Sequence, residues 1–199
     1  MGGREISKGS IGRIAERIVA NELEFHGFLV RDLNLEGLAA NVDLLAAKDG
    51  RIWQIQVKGA RYDTNLGENG WWYQYGYCER EHISSERERM FNRVGNSFHA
   101  DVVVLVCVRS PREYKCIVLP VDKAEEAAQI NLEYAYRTPK KDGSEKKPSV
   151  VWMAFHVPKT TDRKRDAMQR EIDLLRGYID KWDFDCTVAP STVLSVETA

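Results

Sequence analysis

The sequence predicts an α/β chain in which helical and strand periodicities alternate. Three observations carry this reading. Residues 11–25 place their apolar side chains on one helical arc, Asp49-Gly50 sits between two strand-like runs, and residues 101–121 hold two strongly apolar runs. At 199 residues, a folded chain buries about 70% of its extended surface, so the core needs no metal or disulfide to hold it. A composition of 43% hydrophobic and 30% charged residues excludes collagen-like and broadly disordered chains.

The elements follow in order. Ser10 can cap a helix that runs to about His26, with Gly27 as its stop. Ile11, Ile14, Ala15, Ile18, Val19, Leu23 and Phe25 give that helix a core-facing side. Residues 27–34 read as a short strand. The runs Val42–Lys48 and Arg51–Lys58 flank Asp49-Gly50, a dipeptide suited to the positive φ angles of a tight type I′ turn. Residues 60–83 read as loop with one strand, and Ser85 with Glu88 opens a helix reaching about Phe98. Asp101–Arg109 and Tyr114–Val121 are two buried strands joined around Ser110-Pro111. A helix over 122–136, a loop over 138–148, a strand over 150–157 and a helix over 161–178 complete the chain. The tail after Asp183 carries little patterning, and its last 15 or so residues are expected to be disordered.

Charge does not choose a function. Lys and Arg total 29 against 30 Asp and Glu, so no global field points to nucleic acid. Basic clusters occur at Arg4, Lys8, Arg13 and Arg17, at Arg137–Lys147, and at Lys159–Arg165; each suits a solvated face as well as a phosphate contact. The longest apolar run, Val102–Val108, is too short for a bilayer, and no signal pattern opens the sequence. Cys78, Cys107, Cys116 and Cys186 are scattered and read as buried thiols of a reducing compartment, which makes the cytoplasm the expected location. A phosphate loop, a Gly-x-Gly-x-x-Gly fingerprint and a nucleophile elbow are all missing, so no nucleotide cofactor is expected. Trp71, Trp72, Tyr73, Tyr75 and Tyr77 suit strand packing or base stacking, and Cys78 with His82 lacks a second pair at zinc spacing.

The hairpin makes a geometric prediction with chemical content. A two-residue turn pairs Lys48 with Arg51, which sets Asp43 opposite Gln56. Strand alternation then puts Asn41, Asp43, Gln54, Gln56 and Lys58 on one face and Val42, Leu44, Trp53, Ile55 and Val57 on the other. A carboxylate and an amide oxygen suit Mg²⁺, and a neighbouring ammonium can steady a water and offset charge on a phosphate. The same pattern also suits a hairpin with a wet face.

The run Asn-Val-Asp-Leu-Leu-Ala-Ala-Lys-Asp-Gly-Arg-Ile-Trp-Gln-Ile-Gln-Val-Lys over residues 41–58 resembles the core of the PD-(D/E)XK nuclease superfamily. It is similar to Holliday-junction resolvases and Mrr-type endonucleases. The family's Asp matches Asp43 and its lysine matches Lys58, while Gln56 stands where the family has an acid. Glu16, followed by Gly27-Phe28, resembles the first-helix glutamate that joins the family's metal site, with Glu22 as the alternative on the same helix. The resemblance implies a restriction-endonuclease-like core over residues 1–120, with a mixed central sheet flanked by helices. Residues 121–199 are then an α+β extension packed on that core.

The implied activity is Mg²⁺-dependent hydrolysis of DNA phosphodiester bonds, in restriction, repair or mobile-element processing, with Mn²⁺ as a substitute. Asp43, Gln56, the Val57 carbonyl and Glu16 would hold the metal, and Lys58 would serve the attacking water. Lys8, Arg13, Asn41 and Arg61 would contact DNA. A neutral amide in place of an acid predicts weaker metal binding. Cutting both strands would favour a homodimer. The other reading is a catalytically inactive nuclease-fold subunit that binds DNA or assembles with a partner.

Overall fold

The computed structural model describes residues 8–34, 42–61, 72–75, 98–110, 112–137, 142–144, 151–154, 162–190 and 192–193. Helix α1 spans Lys8–Phe25. It buries Ile11, Ala15, Val19 and Leu23, each four residues from the last, as the apolar arc requires. Gly27 ends it at φ +84°. Gly27 N–H donates to Glu24 O and Phe28 N–H to Leu23 O, both at 3.0 Å, the paired bonds of a Schellman stop.

Strands β1 (Leu29–Asp32), β2 (Leu44–Lys48) and β3 (Arg51–Arg61) form an antiparallel meander. Asp49 and Gly50 both have positive φ, +51° and +72°, and the pairing runs from Lys48↔Arg51 to Leu44↔Ile55 as the type I′ turn dictates. A short strand, β4 (Trp72–Tyr75), follows. Strand β5 (Val102–Ser110) lies parallel to β3, and β6 (Glu113–Pro120) returns antiparallel to it. Helix α2 (Val121–Arg137), strand β7 (Val151–Ala154, antiparallel to β4) and helix α3 (Asp162–Arg176) come next. The main sheet has the order β1-β2-β3-β5-β6.

This is the expected α/β class with a mixed central sheet between helices. Val102, Val104, Val106 and Val108 of β5 pack with Ala15, Val19 and Leu23 of α1, whereas Val103, Leu105 and Cys107 pack with Ala124, Ala127 and Ala128 of α2 and Leu175 of α3. A strand covered on both faces must be apolar throughout, which is why β5 reads as an unbroken run. The helix expected over 85–98, the aromatics Trp71 and Tyr77, and the Cys78–His82 pair lie outside the described residues, apart from Phe98, which is buried. Of the thiols, Cys107 and Cys116 are buried as expected, but Cys186 is exposed. No helix among the described residues is long and apolar enough to cross a membrane.

Residues 182–190 and 192–193, where the sequence carries little patterning, pack on the core; 191 and 194–199 lie outside the described residues. Trp182 and Phe184 are buried in the α1-side core. The Phe184 ring stacks on Phe28 at 5.0 Å and meets Trp53 edge-on at 5.9 Å. Trp53 Nε1 donates to Val188 O at 3.0 Å, Lys48 pairs with Asp185 at 2.8 Å, and strand β8 (Thr192–Val193) joins β3 at Arg51 and Ile52. Two isolated aromatics give no periodicity, so the sequence pattern missed a segment held by large rings rather than by a repeat.

Candidate metal centre at the sheet edge

Strand β3 outruns β2. It continues to Arg61, whereas β2 begins only at Leu44. The residue that manages this mismatch is Asp43. Its N–H donates to Ile55 O at 3.0 Å, one residue short of the hairpin register, so Asp43 is not opposite Gln56 as the turn arithmetic predicts. The main chain leaves the ladder here and the side chain takes over: Val57 N–H donates to Asp43 Oδ2 at 2.6 Å. A charged acceptor on a strand N–H is a strong bond, and it fixes the carboxylate in the plane of the sheet. On the β1 side, Leu33 N–H donates to Asp43 O at 3.0 Å and Asn34 Nδ2 donates to Asp43 Oδ1 at 3.2 Å.

Glu16 reaches the same place from α1. Burial pushes its carboxyl pKa up from the ordinary value, and repulsion from Asp43 pushes it further. A hydrogen bond from the Asn34 side chain and the charge of Arg13 act against this, while Asp32 adds to it. The repulsion between the two carboxyl groups is one that a cation would relieve. Glu22 points elsewhere: the Tyr114 hydroxyl donates to its Oε1 at 2.7 Å, tying α1 to β6. Of the two glutamates the sequence left open, Glu16 is the one beside Asp43.

Helix α1 can approach this closely because of Gly59. A Cβ there would stand 2.8 Å from Ala15 Cβ and 3.0 Å from Ile11 O. Any side chain would lift the turn that carries Glu16 off the strand that carries Lys58. Only glycine fits this contact.

Along β3, Trp53, Ile55 and Val57 face α1, so Gln54, Gln56, Lys58 and Ala60 leave the strand on the other side. Gln56 is buried, and its Oε1 has no hydrogen-bond partner among the described residues. An orphaned amide oxygen of this kind costs roughly 1–3 kcal/mol unless something occupies it. Lys58 is half-buried one step further along the same face.

The structure thus brings Asp43, Glu16 and Asn34 together and seats Asp43 on Val57. No hydrogen bond or ion pair among the described residues ties Gln56 or Lys58 to them. Also among the described residues, no three His, Cys, Asp or Glu side chains group as a metal cluster. The donors brought together are instead two carboxylates, which suit a small hard cation, while the Gln56 amide oxygen leaves β3 on the face away from α1. Arg13, one turn before Glu16, and Arg61, at the end of β3, are both exposed. The Lys8 side chain and all of Asn41 lie outside the described residues. Sequence reasoning missed Asn34 and Gly59. The Gly-Ala contact joins segments far apart in the chain, and Asn34 offers no signal beyond its lying at the end of a predicted strand.

No protein-family model matches the chain. It is similar to two curated proteins of Tropheryma whipplei. The UPF0102 protein TW312 of strain TW08/27 is 37% identical over 61 residues, covering 31% of this chain and 51% of that protein. A UPF0102 protein of strain Twist is 33% identical over 61 residues with the same coverage. The chain spans about half the length of the curated relatives it matches. Among solved structures, it is similar to the bacterial homing endonuclease I-Ssp6803I, with a TM-score of 0.47 and 14% identity over 91% of this chain and 92% of that one.

Proposed function

We propose that the protein is a Mg²⁺-dependent DNA endonuclease of the PD-(D/E)XK type. The observation that carries this is the meeting of Asp43 and Glu16 beside β3, in a segment whose sequence resembles that superfamily's core. In this reading Asp43, Glu16, Gln56 Oε1 and the Val57 carbonyl hold the cation. When bound, the cation supplies charge stabilisation for the scissile phosphate and the leaving oxygen. The chain's own groups do the rest. Val57 N–H and Asn34 keep the Asp43 carboxylate aimed at a fixed point. Lys58 orients the attacking water and offsets negative charge as it builds on the phosphate oxygens. Water adds to phosphorus as the bond to the departing sugar oxygen breaks. Arg13 and Arg61, with Lys8 and Asn41, contact the DNA backbone, and the location would be the cytoplasm. Double-strand cutting would be the work of a homodimer.

Cation binding tests the donor set without requiring a substrate. Calorimetric titration with Mn²⁺ should show uptake by the native chain and its loss in Asp43→Ala. Gln56→Glu should bind as tightly or more tightly, because it returns a charged hard ligand to the site. Weaker binding by Gln56→Glu would remove Gln56 from the donor set.

A further inference from the structure

We infer that Asn34 is a positioning residue, whose side-chain amide clamps the Asp43 carboxylate in place beside Glu16 so that a cation meets a preformed pair of carboxylates. The inference rests on the metal-centre reading above.

Two carboxylates left to themselves separate, so a preformed pair needs at least one of them held in place. The Asn34 amide holds Asp43 from the turn two residues past the end of β1. Its nitrogen carries two N–H donors. It donates to Asp43 Oδ1 at 3.2 Å, on the side of the carboxylate next to Glu16, whose pKa the Asp43 charge raises. Asn34 is itself held. Its backbone N–H donates to Asp32 Oδ1 at 2.9 Å, and the preceding Leu33 N–H donates to Asp43 O at 3.0 Å. The amide is therefore anchored to the main chain of the residue it orients. The arrangement leaves room for a ligand, because an ionised carboxyl offers about four lone-pair sites and Asn34 uses one on Asp43. The other Asp43 oxygen is taken by Val57 N–H, again through one lone pair. A donor that fixes a metal-binding carboxylate from behind typically sets affinity by 10- to 100-fold.

The test compares native chain, Asn34→Ala and Asn34→Asp. Mn²⁺ alone is titrated by calorimetry and by the electron-spin signal of free Mn²⁺, and each chain is melted without metal. The clamp predicts that Asn34→Ala binds Mn²⁺ roughly 10- to 100-fold more weakly. Its metal-free melting temperature should move by no more than about 4 °C, the equivalent of a lost exposed contact. Asn34→Asp keeps the turn preference and the side-chain size but cannot donate, so it should not restore native affinity. Native affinity in Asn34→Ala, or tighter binding in Asn34→Asp, would overturn the clamp alone. A native chain that takes up no Mn²⁺ would overturn the metal-centre reading and the clamp with it.

Discussion

Replacing Lys58 with alanine should slow phosphodiester hydrolysis by roughly 10²–10⁴, the usual range for a positioned group acting on the proton or charge of the reacting atoms. Lys58 lies on β3, in parallel register with Leu105 at the centre of the sheet, and its neighbour Gly59 is packed against α1. The strand it stands on is therefore held by β5 along one edge and by α1 on one face. Removing a half-buried side chain from such a strand leaves the backbone where it is. Mn²⁺ affinity should consequently stay close to native, since Lys58 is not a ligand. Single-turnover cleavage rates beside a Mn²⁺ titration separate the two effects. An unchanged rate would take Lys58 out of the mechanism, and lost Mn²⁺ uptake would show that the substitution had disturbed the site as a whole.

The second large effect concerns stability. Phe184→Ala should cost about 3–5 kcal/mol, the range for deleting a buried aromatic ring. At roughly 2–4 °C per kcal/mol for a chain of this size, the melting temperature should fall by about 10 °C. The reason is local. Phe184 completes a three-ring cluster with Phe28 and Trp53, and its loss also exposes the segment whose Val188 carbonyl accepts the Trp53 indole N–H. Denaturant unfolding of the variant checks this. A loss below about 1 kcal/mol, the scale of a surface substitution, would mean that the C-terminal segment contributes little to the core.

The hairpin and the two apolar strands were legible because each rests on a local rule. Asp49-Gly50 demands two positive φ angles, and the turn then sets every pair back to Leu44↔Ile55. The run from Val102 to Val108 says only that both faces are covered, and both are. The rule failed at Asp43, where a side chain replaces the main chain as the ladder's acceptor. Such an exchange leaves no trace in alternation, yet it is what turns the carboxylate into a fixed group at the sheet edge. Glu16 and Glu22 could not be separated by a helical wheel, because both lie near the apolar arc. Their partners separate them, Asp43 for one and Tyr114 for the other, and both partners come from distant segments. Phe184 was missed for the same reason: its neighbours, Phe28 and Trp53, are more than 100 residues away in the chain.

Cleavage of DNA tests the central claim most directly. Plasmid, nicked, single-stranded and branched DNA would be incubated with the native chain and with Asp43→Ala, in Mg²⁺ and in Mn²⁺. A metal-dependent nuclease cuts at least one of these, more readily in one cation than in none, and Asp43→Ala abolishes the cutting. Cleavage that survives in Asp43→Ala would contradict the proposed site. No cleavage of any substrate, together with no Mn²⁺ uptake by the native chain, would contradict the nuclease reading and leave a sheet used for binding or assembly.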